Sequence, residues 1–210
     1  LCTNTIYTNQ HAYAMVECLR SNNSKCKYRT TDYVIGVKQL KRVGEFEKVS
    51  YEQFYGAMSE IIDTEYKDDY IRMLYDTLEL PKRATSGSAG YDFKSPFSFT
   101  LQPGDTIKIP TGVRVKIDDG WWLGCLPRSG LGFKYRLQLN NTMGVIDSDY
   151  YYSDNEGHIF AKITNDSNEG KVIEVKAGDG FMQAIFIPYG ITYSDSADGV
   201  RNGGMGSTGK

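Results

Sequence analysis

The period of the apolar residues changes at Pro81, and that change constrains the fold of this 210-residue chain more than any other feature. Before Pro81 apolar side chains recur three and four positions apart, the spacing of one helix face; after it they recur every second position, the spacing of half-buried strands. Phe54, Ala57, Met58, Ile61 and Ile62 form one stripe behind Ser50 and Gln53, whose separation is that of a capping box. Ile71, Leu74, Tyr75 and Leu78 repeat the pattern over 69–80, and Pro81 should end it, because proline disfavours helical backbone in the residue before it. Upstream, Ala12, Met15, Val16 and Leu19 stand at helical spacing, and 33–40 reads as a strand. Downstream, 106–109, 112–117, 121–126, 135–139, 159–164, 172–175 and 181–187 read as short strands divided by Pro-Gly, Asp-Gly, Asn-Asn and Gly-Asp turns. Short strands at this density predict a mainly β protein, a jelly-roll or another two-sheet architecture. The expected organisation is an extension over 1–32 containing a short helix, then a β domain over 33–210. A helical insertion at about 49–80 and a tail over about 199–210 belong to that domain.

Charge and composition exclude several classes of function. Sixteen Tyr, nine Phe and 22 Gly against six Pro suit a folded, turn-rich chain and not a disordered one. A net charge of -2 gives no general nucleic-acid footprint, and no direct nucleic-acid binding is expected. The balance hides a basic excess over 1–44 (Arg20, Lys25, Lys27, Arg29, Lys38, Lys41, Arg42) and an acidic one over 45–80. These stretches could neutralise each other or a neighbouring subunit, and the helical insert offers a face for a protein partner. No apolar run approaches the roughly 20 residues of a membrane span, and 1–20 lacks the basic start and apolar block of a signal peptide. Cys2, Cys18, Cys26 and Cys125 form no C-x-x-C pair and no zinc spacing with His11 and His158. The expectation is a cytoplasmic or otherwise intracellular protein with reduced thiols.

Within the β region, four turn segments carry polar residues that strand packing does not require. SAGYDF holds Asp92, which suits a turn cap or a Mg²⁺ held directly or through water. PRSGLGFK brings together Arg128, the Ser129 hydroxyl and the Gly130 amide, a fork and a close-approaching backbone suited to phosphate oxygens. NTMGVIDSDYYYSDNEGHI places Asn141 and Asp147 on either side of a short apolar run. An Asn amide both donates and accepts, which suits a pyrimidine edge. A carboxylate beside a phosphate suits general-base activation of water, although ordinary hairpin-loop acids would look the same. In GDGFMQAIFIPYG, Gln183 interrupts an apolar strand and needs partners, structural or ligand. The closing RNGGMGSTGK has Gly204, Gly209 and Lys210 at P-loop spacing, but no helix or metal-binding hydroxyl follows the lysine within this sequence, so the P-loop reading fails.

Taken in order, these segments resemble the five motifs of the trimeric dUTPases: Ala89–Asp92, Pro127–Lys134, Gly144–Tyr150, Gly178–Pro188 and Arg201–Gly209. The resemblance implies a β jelly-roll that assembles as a homotrimer with shared active sites and hydrolyses dUTP to dUMP and pyrophosphate with Mg²⁺. It implies that Asp147 deprotonates the water attacking the α-phosphorus, that Asn141 reads the uracil edge beside Gly144 and Ile146, and that Tyr150 packs on the deoxyribose and excludes a 2′-hydroxyl. Arg128, Ser129, Gly130 and Gln183 would hold the phosphates, and Asp92 would anchor the metal through its water shell. Arg201, Met205, Gly206, Ser207 and Thr208 would close over the nucleotide as a lid.

Three departures qualify the likeness. Met205 stands where the family usually stacks a Phe on uracil, and a thioether covers a ring less rigidly. The stretch YYSDNEG after Tyr150 replaces a short Arg-Gly link, and the 49–80 helices exceed a minimal member. A dCTP deaminase relative fits GVIDSDY less well because that class uses a Glu. A nucleotide-gated interaction protein using the insert and the extra loop is the alternative from another class.

Overall fold

The computed structural model describes residues 40–203. The chain divides into two compact units, Leu1–Arg42 and Val43–Lys210. The helix expected through Ala12 to Leu19 and the strand expected over 33–40 fall in the first, outside the described residues apart from Leu40.

The second unit runs β1 (Gly44–Lys48), α1 (Tyr51–Ser59), α2 (Lys67–Thr77), β2 (Lys82–Arg83), β3 (Tyr91–Lys94), β4 (Phe99–Leu101), β5 (Thr106–Pro110), β6 (Val113–Ile117) and β7 (Trp121–Pro127). It continues through α3 (Ser129–Tyr135), β8 (Leu137–Leu139), β9 (Gly144–Ile146), a 3₁₀ turn (Ser148–Tyr152), β10 (Phe160–Asn165), β11 (Ile173–Val175) and β12 (Gly180–Pro188). The expected mainly β fold with a helical insertion is what forms. Its largest sheet has the order β2-β3-β12-β7-β9, with antiparallel pairing at every join. A second sheet is ordered β5-β10-β8, and β1-β6 and β11-β4 pair separately.

The sheets and helices share one core. Phe54 and Met58 of α1 and Ile71 of α2 are fully buried with Ile109, Leu123, Ile163, Ile173 and Phe181 from the strands. Burying side chains of this size contributes about 1.5–3 kcal/mol each, so the helical hairpin is held by packing and not by propensity alone. Ser50 caps α1 as expected, its Oγ accepting from the Gln53 amide at 3.1 Å.

Several expectations need correction. Ile61 lies past the end of α1 and is exposed, so the stripe is shorter than the sequence suggested. Helix α2 stops at Thr77, where Leu78 turns extended, before Pro81 can act. The strand expected over 135–139 is only Leu137–Leu139, because Ser129–Tyr135 is helical and Arg136 ends it at φ 56. The glycines at 130 and 132 masked that helix, since glycine costs about 1 kcal/mol in a helix interior. Strands β1, β2, β3, β4 and β9 were not foreseen; in GEFEK the only apolar side chain is Phe46, which packs among Tyr91, Phe93 and Phe186.

Candidate active site

The turn between β8 and β9 creates the first half of the site. Thr142 adopts φ 65, its amide bonding to Leu139 O at 2.8 Å, and the Met143 amide bonds to Asn141 O at 2.7 Å. Strand β9 then pairs with β7, with Gly144 opposite Cys125. Space at Gly144 is tight: a Cβ would lie 3.1 Å from Cys125 Cβ, so that neighbour would have to give by a few tenths of an ångström.

Strand β9 delivers Asp147 at its end, in extended backbone, as the residue that starts the 3₁₀ turn. That turn swings Tyr150 inward until it is 6% exposed. The Tyr150 hydroxyl donates to His158 O at 2.8 Å and accepts from Asn155 Nδ2 at 2.8 Å. Burial pushes the phenol pKa up, partly offset by the Asn155 bond and by the Arg201 charge, so the ring is neutral at physiological pH.

Asn141, Gly144, Ile146, Asp147, Tyr150 and Arg201 line one cavity of about 730 Å³, within the range of small-molecule sites. Arg201 reaches it from the far end of the chain. Its guanidinium bonds to the Asp147 carboxylate and, through Nε, to Asp149 Oδ1 at 2.7 Å. The family resemblance puts Arg201 in a lid over the nucleotide; here it sits against the two carboxylates. The wall also includes Met143, Phe160, Lys162 and Met182, which the sequence did not single out. Phe160, Lys162 and Met182 occupy strand positions whose alternation is unremarkable, and only the pairing of distant strands carries them to the cavity.

Arg128, Ser129 and Gly130 line a separate cavity of about 400 Å³ with Glu174, Asp179 and Gly180, sharing no wall residue with the first. Arg128 lies over Gly180, where an added Cβ would come within 3.0 Å of Nη1. Its Nε stands 3.7 Å from Asp92 Oδ1. Gln183 is paired with Asp92 across β12 and β3, its Oε1 pressed against Gly90. Asp92, Arg128 and Gln183 are therefore neighbours, and none of them lines the Asp147 cavity. Among the described residues no group of three or more His, Cys, Asp or Glu could hold a metal ion. A lone carboxylate beside a guanidinium fits Mg²⁺ whose direct ligands are phosphate and water, not an all-protein cage. Met205, Gly206, Ser207 and Thr208 lie outside the described residues.

The family model described as dUTPase matches residues 76–209. The deoxyuridine 5'-triphosphate nucleotidohydrolase of Lactococcus lactis is 39% identical over 135 residues, covering 63% of this chain and 89% of the relative. The enzyme of the same name from Hahella chejuensis is 38% identical over 146 residues, covering 66% and 91%. Among solved structures, the dUTPase from Streptococcus mutans superposes with a TM-score of 0.51 at 32% identity, covering 70% of this chain and 97% of that one. The family match begins in α2, so β1 and α1 precede it.

Proposed function

The chain belongs to the dUTPase family, and on that premise we infer that it hydrolyses dUTP to dUMP and pyrophosphate by water attack at the α-phosphorus. One observation carries the mechanism: Asp147 lines the same cavity as Asn141, Gly144, Ile146 and Tyr150. A base and a pocket for a pyrimidine nucleoside thus share one space. Asn141 would donate to and accept from the uracil edge, and the Tyr150 ring would lie on the deoxyribose where a 2′-hydroxyl has no room. Asp147 would take the proton of the attacking water as the new oxygen–phosphorus bond forms and pyrophosphate leaves. Arg201 would give up its hold on Asp147 for that proton transfer, because its guanidinium occupies the carboxylate oxygen Oδ2 that it bonds.

The phosphate chain would be held by Arg128, Ser129, Gly130 and Gln183, and Asp92 would hold Mg²⁺ through its water shell. When bound, the metal would neutralise charge on the phosphates. Arg128, Ser129 and Gly130 line a cavity that shares no wall residue with the Asp147 cavity of the same protomer, and by family resemblance the complete site would draw on more than one subunit. This supports a homotrimer of jelly-roll protomers with shared active sites, the glycine-rich tail of one subunit closing over a site on its neighbours. Among the described residues no helix is long and apolar enough to cross a membrane, which accords with an intracellular setting.

Pyrophosphate release measured with dUTP, dTTP, dCTP and UTP in the presence of Mg²⁺ tests this reading. Turnover should be confined to dUTP. Asp147→Asn should lower it by about 10²–10⁴-fold while dUTP still binds. Normal turnover by that variant, or uracil products from dCTP, would overturn the assignment.

A further inference from the structure

The loop that follows Tyr150 is built around Tyr150. It leaves the 3₁₀ turn with Ser153 N bonded to Tyr150 O at 3.1 Å, tightens with Glu156 N on Ser153 O at 2.8 Å, and closes with His158 N on Asn155 O at 3.0 Å. Gly157, at φ 69, makes the last bend, since a Cβ there would lie 2.7 Å from Tyr151 Cα. Within this frame the Asn155 side chain makes two bonds. Its Oδ1 accepts from Gly157 N at 3.2 Å and its Nδ2 donates to the Tyr150 hydroxyl at 2.8 Å. The carboxylate of Glu156 ties the loop to α1 through Ser50 N at 2.7 Å and Ser50 Oγ at 2.6 Å. The phenol is thus held from both sides, by Asn155 as donor and His158 O as acceptor, while the ring itself faces the cavity.

We propose that Asn155 is a positioning residue that fixes the Tyr150 ring against the deoxyribose and thereby sets how strongly dUTP is preferred over UTP. The proposal rests on the placement of Tyr150 given above. A ring that discriminates by excluding one hydroxyl group must not give way by even about 1 Å. Tyr150 is 6% exposed, and packing together with the two bonds to its hydroxyl fixes the ring beside the cavity. The loop fulfils that demand because it begins at the residue it must hold and is anchored at its far end on the helical insert. Asn155 does not touch the nucleotide; it acts through the hydroxyl.

A double-mutant cycle tests this. The ratio of kcat/KM for dUTP to that for UTP is measured for the wild-type protein, Asn155→Ala, Tyr150→Phe and the double variant, with Tyr150→Ala as the control for the underlying placement. Asn155→Ala should lower the ratio by about fivefold to tenfold, the scale of one lost hydrogen bond. It should have no further effect once the hydroxyl is absent in Tyr150→Phe, because the two then act as one unit. If Asn155→Ala leaves the ratio unchanged, or lowers it equally in both backgrounds, the proposal is wrong and Asn155 serves only the Gly157 turn. If Tyr150→Ala also leaves the ratio unchanged, the placement of Tyr150 fails and takes the proposal with it. Should Asn155→Ala not fold, Asn155→Ser carries the same cycle, its hydroxyl keeping a short acceptor for Gly157 N.

Discussion

His158 is fully buried between Phe54 and Phe160, with Nε2 accepting the Gly112 amide at 2.9 Å. An acceptor at Nε2 requires the neutral ring with its proton on Nδ1, which stands 3.4 Å from the Gln53 side-chain amide and is accepted when that amide turns its oxygen to the ring. Burial pushes the pKa down from 6.5 to about 4; Glu156 opposes the shift and Lys108 adds to it. The sign of the stability effect follows. Between about 4 and 6.5 the unfolded chain binds a proton at this position and the folded chain does not, so stability falls as pH falls. The contribution is complete above 6.5, is lost at about 1.4 kcal/mol per pH unit inside the window, and declines no further below about 4. Urea unfolding from pH 7 to pH 4 should therefore show a shallower pH dependence for His158→Gln, whose amide oxygen can replace Nε2 as acceptor, than for the wild-type protein. Equal slopes would mean that His158 is not held neutral. Nothing local in the sequence marks His158 for this role, because its partners Gln53 and Gly112 are reached only through the fold.

Among elements, the N-terminus of α1 joins the helical insert to the active-site loop. Its capping box is completed from elsewhere: Ser50 receives Gln53 N as expected, but the Ser50 amide goes to Glu156. Burial works against the Glu156 carboxylate, yet the Ser50 hydroxyl and amide outweigh it and hold the group below the usual carboxylate range. Ser50→Ala and Glu156→Gln should each destabilise by about 1–2 kcal/mol. The double variant should lose less than the sum, measured by chemical denaturation, because a glutamine oxygen can still take the amide once the hydroxyl is gone; strict additivity would show that the contact contributes nothing. Legibility follows the same division. Asn141, Gly144, Ile146, Asp147 and Tyr150 lie within ten positions of sequence; local chemistry singled out Asn141 and Asp147, and the resemblance of the motif added the other three. Strands such as β7 and β12 were legible because their alternation is long, whereas β1 and β9 are too short or too charged to register. The hold of Glu156 on α1, and of Arg201 on Asp147, joins residues 106 and 54 positions apart, and no local signal encodes such pairs.

For the whole molecule, the decisive fact is the separation of Asp147 from Arg128. The first lies on the rim of the cavity between β7, β9 and β10, and the second lies across β12 beside Asp92, with no common wall. On the proposed trimer a triphosphate held by both would bridge protomers, closed rotational symmetry presenting one face of a subunit to the other face of the next. Two defective chains should then repair each other. On the proposed roles, Asp147→Asn would remove the base and Arg128→Ala the phosphate fork, so each variant alone should be nearly inactive. Co-expressed in equal amounts, they form mixed trimers in which some sites draw Asp147 from one variant and Arg128 from the other. With random assembly, about a quarter of sites are intact, and pyrophosphate release should approach that fraction of the wild-type rate. A site built within one protomer allows no such rescue, because every chain then carries a defect in its own site. Mixed trimers, verified by differential tagging, that stay as inactive as their parents would therefore refute the shared site while leaving the role of Asp147 intact.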